Sequence, residues 1–423
     1  ESSVGINNID LTISLKESKK AYVEKINIFG NNITRENVIR NGLLLDEGDG
    51  FNKLLLDKTI NKLRSKNIFA SISKSVTEGS SEEFKVIDIT VQEKPTGEIS
   101  AGAGIGTSGG QVSFSVKENN YLGKGMKVGA SIDISQESVA GSLTIINPNF
   151  NYSERSLSTS ISRTSTDRIV TYGYKNTETG ASIGTSYEQY EDLYFSPSIS
   201  AFFEELETTN TASAALQKQK GNYFDLDFNY GVTLDKRNLS YRPTEGFISK
   251  FNQSLPLISK TYSLNNSYEF KTYKEIGEES VSSFVFFVGS VNSINNKDVR
   301  ISERLFIPSN RLRGFEKGKV GPIDNGDFVG GNYVAASSFN LTLPKLFDQF
   351  QNTDLTFFID TANLWGVDYN DSIDDNSKIR SSTGLTLDIF TPVGPLNFSL
   401  SQPITQASTD KTETFRFNLG TTF

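Results

Sequence analysis

From residue 97 to the end of the chain, apolar and polar residues alternate in short segments separated by turn residues. The clearest segment is "YFDLDFNYGVTL" at 223–234, where one face is apolar and the other is mostly polar. "RSLSTSISRTS" at 155–165 repeats the pattern with serine on the polar face. A period of two is the signature of a β-strand with two unlike faces. The pattern therefore predicts an all-β fold for most of the chain.

Such alternation occurs both in a soluble β-sandwich and in a membrane β-barrel, and the length of the region and its last segment distinguish the two. At roughly 20 residues for each strand and its connection, residues 95–423 hold about 16 strands, which a barrel accommodates and a single sandwich rarely needs. In "TFRFNLGTTF" at 414–423, aromatic residues and leucine alternate with polar residues up to the last position. We therefore predict a transmembrane antiparallel β-barrel of about 16 strands, with the lipid bilayer against its apolar face.

Residues 20–94 have a different pattern, which predicts a small α+β domain of order β-α-α-β-β. The segment 51–67 is predicted as a helix, because Leu56, Ile60 and Leu63 recur on one helical face and Asn52 can cap its start. A shorter helix is predicted at 34–42, with Thr34 as its N-cap.

Composition excludes several classes of site. The chain has no histidine and no cysteine, so it has neither a Ser-His-Asp triad nor a thiolate zinc site. Its net charge of −8 argues against a nucleic-acid partner. The pairs Glu204-Glu205 and Asp374-Asp375 are interpreted as solvated loop charges. The acidic run 368–376 lacks calcium-loop spacing, and the glycine pattern at 104–109 precedes a strand instead of a helix. No enzyme activity, metal or cofactor is predicted.

Five fragments, in this order along the chain, resemble the BamA family of outer-membrane assembly factors. They are "LDKRNLSYRPTEG" at 234–246, "RLFIPSNRLRGFEKGKVGP" at 304–322, "VGGNYVAASSFNLTLP" at 329–344, "FFIDTANLW" at 357–365 and "FRFNLGTTF" at 415–423. The resemblance implies that 20–94 is a POTRA domain and that 1–19 is the tail end of a preceding POTRA domain or a linker. One departure concerns Asn340, which stands where relatives carry an acidic residue.

The resemblance also implies that a loop at about 303–332 folds back into the barrel lumen. Its motif residues are Arg313, Gly314, Phe315, Gly321 and Pro322. Strand alternation turns Asp360 and Asn340 toward the lumen if their apolar neighbours face lipid. A bidentate ion pair between Arg313 and Asp360 is therefore predicted, with Asn340 as a further acceptor. The alternative is an ordinary solvated loop arginine.

The first and last barrel strands are predicted to meet at a weak seam. On the first strand, at 97–110, Gly102, Gly104 and Gly106 share one face, and glycine weakens a strand and lets another backbone approach. The last strand contributes Asn418, Leu419, Gly420 and Phe423. The resemblance implies that this seam is a lateral gate through which barrel precursors insert. The alternative is that the glycines only relieve crowding in the wall.

The resemblance implies a set of partners and a place in the cell. The partners are outer-membrane protein precursors, lipoprotein subunits of the assembly complex and periplasmic chaperones. The barrel is expected in the outer membrane of a Gram-negative bacterium, with the POTRA domain in the periplasm. The main alternative is a related translocator of the TamA or two-partner secretion type. A passive porin is less favoured, because a porin needs neither a POTRA-like domain nor an inserted loop.

Overall fold

The computed structural model describes residues 20–107, 109–277, 279–344, 352–391 and 394–420. These residues form two compact units, one built from the chain up to Thr96 with the turn 122–125, the other from the remainder. The interpretation of residues 1–19 and the position of Phe423 lie outside the described residues.

The first unit has the predicted β-α-α-β-β order. Its elements are β1 Tyr22–Phe29, α1 Glu36–Arg40, α2 Lys53–Ser65, β2 Phe69–Glu78 and β3 Phe84–Glu93. The three strands form one sheet of order β1-β3-β2, in which β1 and β3 are parallel. The apolar stripe of α2 is buried in a core with Ile87 and Ile89 of β3. Burial of this stripe against the sheet is the main source of stability for so small a domain.

One of the two predicted helix caps is confirmed and the other is wrong. Asn52 Oδ1 accepts hydrogen bonds from the backbone N–H groups of Leu54 (2.9 Å) and Leu55 (3.3 Å). Helix α1 begins at Glu36, so the N-cap position falls on Arg35 instead of Thr34. The Thr34 N–H donates instead to the carboxylate of Glu93 at the end of β3. Partial burial raises the pKa of the Glu93 carboxyl. The hydrogen bonds that it accepts from residues 32–34 lower the pKa by more than burial raises it, so the pKa lies below its ordinary value.

The second unit is a closed barrel of 16 strands, which confirms the predicted fold. The first eight strands are β4 Gly97–Gly106, β5 Gly109–Tyr121, β6 Met126–Ser135, β7 Ser138–Asn147, β8 Ser156–Arg168, β9 Tyr174–Tyr190, β10 Leu193–Thr208 and β11 Gly221–Asp235. The other eight are β12 Gly246–Ile258, β13 Ser263–Gly277, β14 Ser280–Ser293, β17 Tyr333–Thr342, β18 Thr353–Trp365, β19 Arg380–Thr391, β20 Gly394–Thr405 and β21 Phe415–Gly420. Each strand pairs antiparallel with the next along the wall, and β21 closes onto β4.

The two faces of the wall differ as the alternation predicts. Phe339 and Ile359 point outward and are 42% and 41% exposed, whereas Ser338 and Asp360 point inward and are 4% and 0% exposed. An outward apolar belt belongs against hydrocarbon, and closure satisfies the backbone groups that lipid cannot. Within the described residues, no helix has both the length and the apolar character needed to cross a membrane.

A long segment, 294–332, joins β14 to β17, and we call it the lumen loop. It starts nine residues before the predicted boundary at 303. It contains a 3-10 turn, Ile301–Glu303, and a hairpin of β15 Ile323–Asp324 with β16 Asp327–Phe328. Two short helices, α3 Ile169–Tyr172 and α4 Ala214–Gln217, lie in other connections at the same end of the barrel. Apolar residues of the loop and these connections share one buried cluster, which includes Tyr172, Leu216, Ile301, Phe328 and Val329.

Candidate functional site: the lumen loop and the seam

Arg313 of the lumen loop binds Asp360 of β18 inside the barrel. The Arg313 Nε and Nη2 atoms donate to the two Asp360 carboxylate oxygens at 2.8 and 2.7 Å, and the Arg313 backbone N–H donates at 2.9 Å. Nη2 also donates to Asn340 Oδ1 of β17 at 2.8 Å. Asp360 is fully buried, and the Arg313 side chain is 15% exposed. Two parallel charge-assisted bonds of this kind fix both the position and the orientation of the guanidinium.

Aromatic side chains complete the anchor. The Arg313 guanidinium lies over the ring of Phe358, 3.6 Å from its centroid, which is a cation–π contact. Phe315 is 2% exposed and packs in a cluster with Val334, Ala336 and Leu364 of the wall. The loop is thus held by an ion pair and by an apolar contact within three residues of sequence.

Gly314 lies between these two contacts in a conformation that side chains rarely adopt. Its φ is +88°, and a Cβ atom placed there would lie 3.1 Å from Ser401 Cβ and 3.3 Å from Ser382 Cβ. The Ser382 hydroxyl donates to the carbonyl of Arg313. Glycine therefore allows the loop backbone to lie directly against the wall.

We expect Gly314→Ala to loosen the lumen loop. The left-handed φ alone costs about 1–2 kcal/mol for a residue with a Cβ atom, and the close wall adds to that cost. Gly326→Ala is the matched control, because Gly326 has φ +92° in the same loop but no atom within 4 Å of an added Cβ. Limited proteolysis of the folded barrel should show faster loop cleavage for Gly314→Ala than for Gly326→Ala. Equal cleavage would mean that the wall contact contributes nothing.

Gly321 and Pro322 lie further along the loop, where it turns back toward the wall. The Gly321 N–H donates to Asp410 Oδ1 at 3.4 Å, and the Pro322 carbonyl accepts from the Val329 N–H at 3.1 Å. The second bond closes the segment that carries the β15–β16 hairpin.

Three further loop arginines were not predicted as site residues. Arg300 lies 2.6 Å from Asp225 of β11 and 3.5 Å from Glu204 of β10. Arg304 pairs with Asp368, and Arg311 pairs with Glu269 of β13. With Arg313, the loop presents four arginines to carboxylates on different sides of the lumen.

These contacts correct the interpretation of Glu204 as a solvated charge. Its strand turns it into the lumen, where it is 4% exposed, whereas Glu205 points outward. Asp368, in the acidic run 368–376, accepts hydrogen bonds from Arg304 and from the Val299 N–H. In the part of the chain that the structure describes, no group of three or more histidine, cysteine, aspartate or glutamate side chains is arranged to hold a metal ion.

Over the described residues, the seam between β21 and β4 contains few residue pairs. Three residue pairs face each other, Asn418 with Gly106, Leu419 with Ile105 and Gly420 with Gly104, whereas β4 and β5 share ten pairs. One further bond joins the Thr107 N–H to the Phe417 carbonyl at 3.1 Å. Gly102 of β4 pairs with Ser113 of β5. Among the described residues, this is the least extensive strand pairing in the barrel.

The glycines of β4 let β21 approach closely. A Cβ atom on Gly106 would lie 2.4 Å from Asn418 Oδ1 and 2.7 Å from the Phe417 carbonyl oxygen. Larger residues there would push the last strand away. The glycine face therefore sets the closeness of this contact.

A family model described as the Omp85 superfamily domain matches residues 120–423. The chain belongs to the Omp85 superfamily. A second family model, described as POTRA, surface antigen variable number repeat, matches residues 21–94. The Omp85 barrel described above is therefore preceded in sequence by a POTRA domain.

Known relatives agree with this architecture. The outer membrane protein assembly factor BamA of Neorickettsia risticii is 24% identical over 98% of this chain, and the chain spans 57% of that relative's length. The crystal structure of BamA from Haemophilus ducreyi lacking POTRA domains 1–3 superposes with a TM-score of 0.85 at 23% identity, covering 96% of this chain and 85% of that one. CdiB from Acinetobacter baumannii superposes less well, with a TM-score of 0.56 at 12% identity over 95% of this chain and 74% of that one.

The Omp85 fold and the apolar outer wall together place the barrel in the outer membrane of a Gram-negative bacterium. In the lumen, the chain carries a loop anchored to the wall, and over the described residues its seam has three strand pairs.

Proposed function

We propose that this chain is the barrel and adjacent POTRA domain of an outer-membrane protein assembly factor. Its substrates would be unfolded β-barrel precursors, which insert into the bilayer through a lateral gate between β4 and β21. The observation that carries the proposal is that, over the described residues, β21 and β4 share three pairs, fewer than any other two neighbouring strands of the barrel. The resemblance of BamA relatives over nearly the whole chain supports it.

The seam supports a mechanism of strand addition. When β21 separates from β4, the N–H and C=O groups of β4 lose their partners in a medium without water, and an incoming strand can satisfy them. A precursor whose last strand pairs with β4 gains these hydrogen bonds and buries its apolar face in lipid. Successive strands would then add to the first until the new barrel closes and leaves. No nucleotide is required, because each step lowers the free energy of the precursor.

The lumen loop would hold the barrel in shape while its seam is open. The four arginines bind carboxylates of β10, β11, β13 and β18 and of the connection after β18. They therefore link parts of the wall that are distant from the seam. An open barrel has lost one set of strand contacts, and ion pairs inside the lumen oppose the separation of the remaining strands.

The POTRA domain would receive precursors or partner subunits before they reach the barrel. Strands β1 and β2 are the two edges of its sheet, and a sheet edge can accept an extended chain. Periplasmic chaperones and lipoprotein subunits are the expected partners.

Depletion of the protein from a cell that makes it tests this function. We expect unrelated outer-membrane barrels to disappear together from blots of the membrane fraction, while lipoproteins of the inner membrane stay constant. The alternative, a translocator of the TamA or two-partner secretion type, predicts normal levels of most barrels and the loss of a small set of exported proteins. The TM-score with CdiB, lower than that with BamA, favours the assembly function.

A further inference from the structure

Arg416 joins the last strand to the lumen loop. It lies on β21, two residues before the seam pairs begin, and its side chain is 11% exposed. Its Nη1 donates to the Ser309 carbonyl at 3.0 Å, and its Nη2 donates to the Phe315 carbonyl at 2.7 Å. Glu413 accepts from the same guanidinium at 2.7 and 2.9 Å. The two loop carbonyls flank Arg313, so the segment that is anchored to Asp360 is also held by the seam strand.

Backbone bonds reinforce this connection just before β21 begins. The Glu316 N–H donates to the Lys411 carbonyl, and the Glu413 N–H donates to the Gly314 carbonyl, each at 3.0 Å. The Lys411 N–H donates to the Lys319 carbonyl at 3.0 Å. The loop thus forms a short ladder with residues 411–413.

The turn before this ladder is itself fixed. Asp410 is fully buried and pairs with Arg380 of β19 at 2.9 Å, and it accepts the N–H of Gly321 from the loop. A buried bidentate pair holds the turn, so the ladder rests on a rigid support.

An exposed ion pair joins the loop to the first four barrel strands, β4 to β7. Lys317 Nζ lies 3.1 Å from Glu137 Oε2, in the connection between β6 and β7, and these side chains are 46% and 37% exposed. Exposed pairs of this kind contribute little, because water and salt screen them. The loop is therefore bound strongly to the last strand and weakly to strands β4 to β7. Further round the wall, its buried cluster and Arg300 hold it to β8–β11 and their connections.

We propose that Arg416 makes the lumen loop and β21 a single moving unit, so that β4 separates from both when the seam opens. This inference rests on the proposed function, because it says which side of the gate carries the loop. Arg416 is a positioning residue in this scheme: it does not contact the precursor, but it fixes the strand that the precursor must displace. The loop would then stay with the last strand while the edge of β4 becomes free.

Hydrogen–deuterium exchange of the protein in lipid vesicles tests the coupling without any precursor. We expect Arg416→Gln to speed exchange about tenfold or more in peptides covering both 309–321 and 411–420, since hydrogen bonds to a charged donor are lost from both segments at once. Lys317→Gln is the matched control and should change neither segment by more than about twofold. Arg416→Lys should give a smaller change than Arg416→Gln, because a lysine retains the charge but not the planar fork. Faster exchange in 411–420 alone, with 309–321 unchanged, would overturn the proposal.

Cross-linking tests which side moves. The chain has no cysteine, so introduced pairs react cleanly with a short bis-maleimide. A link between Glu316→Cys and Lys411→Cys ties the loop to the last-strand side and should leave precursor assembly in vesicles within about twofold of the unlinked protein. A link between Lys317→Cys and Glu137→Cys ties the loop to the first-strand side and should stop assembly. The reverse pattern would refute the inference. If the unlinked protein assembles no precursor while the exchange result holds, the proposed function fails and the coupling stands.

Discussion

Asp360→Asn should release the lumen loop and lower the free energy of unfolding by about 3 kcal/mol, the lower end of the range for breaking a buried ion pair. Asparagine keeps the shape of the side chain and removes its charge. The Arg313 guanidinium would remain in the lumen with 15% exposure and no counter-ion. Neither water nor Asn340 replaces a carboxylate that accepts three hydrogen bonds from Arg313. The expected readouts are faster protease cleavage of the loop and a lower temperature at which the folded barrel loses its heat-modifiable migration on gels.

The same strand provides the control. Asp354 of β18 pairs with Arg242, whose side chain is 49% exposed. Asp354→Asn should therefore change stability by less than about 1 kcal/mol. Combining Asp360→Asn with Arg313→Gln should cost less than the sum of the two single changes, since the second removes the unpaired charge. Equal effects of Asp354→Asn and Asp360→Asn would show that the lumen pair does not anchor the loop.

The pairing of Arg313 with Asp360 could be predicted because strand alternation is local. Once Ile359 is assigned to lipid, the next residue must face the lumen, whatever the register of the strand. The same reasoning placed Asn340, and both side chains bind the guanidinium in the structure. The motif then indicated which loop residue arrives there.

The partners of Arg300, Arg304 and Arg311 could not be predicted in this way, because they depend on the path of the loop through the lumen. Glu204 illustrates the difficulty. It follows two phenylalanines and precedes a second glutamate, so neither its neighbours nor its charge indicates which face it occupies. Only the pairing of β10 with β11, which sets Glu204 opposite Tyr223, fixes its direction.

The start of the loop was misplaced for a related reason. Val299 and Ile301 are apolar, two residues apart and completely buried, which is also what a strand would show. They are buried by the loop folding inward instead of by a second layer of wall. Periodicity reports that a side chain is covered, but it does not report what covers it.

The register of the seam also could not be predicted from the sequence. The two strands are separated by most of the chain, and no tight turn connects them to set their register. The glycines of β4 indicate a close approach, but they do not indicate which residue of β21 lies opposite each of them. The structure opposes Leu419 to Ile105 and places the glycines at Gly104 and Gly106 on either side of that pair.

A disulfide between Ile105→Cys and Leu419→Cys should abolish precursor assembly, and reduction should restore it. The two residues face each other directly, and opposed residues of antiparallel strands lie about 4.5–5.5 Å apart between Cα atoms, which a disulfide can span. Both side chains point outward, with 57% and 38% exposure, so the bond need not displace core residues. A covalent bond cannot be opened by a precursor strand that competes only through hydrogen bonds. The measurement is the yield of a folded, heat-modifiable precursor in vesicles with and without reductant.

A disulfide elsewhere in the wall separates loss of gating from loss of general flexibility. Leu385 of β19 and Leu400 of β20 also face each other and point outward, with 41% and 59% exposure. The Leu385→Cys and Leu400→Cys pair should leave assembly unchanged when oxidised, because these strands already share an extensive ladder and need not part. If the oxidised seam variant assembles precursors as fast as the reduced one, insertion does not pass between β4 and β21. If the β19–β20 bond stops assembly as completely as the seam bond, the whole wall must deform and the short seam is not the gate. Loss of assembly confined to the seam bond is the result that a strand-by-strand exchange at β4 requires, since in that mechanism a precursor strand replaces β21 and no other strand of the wall.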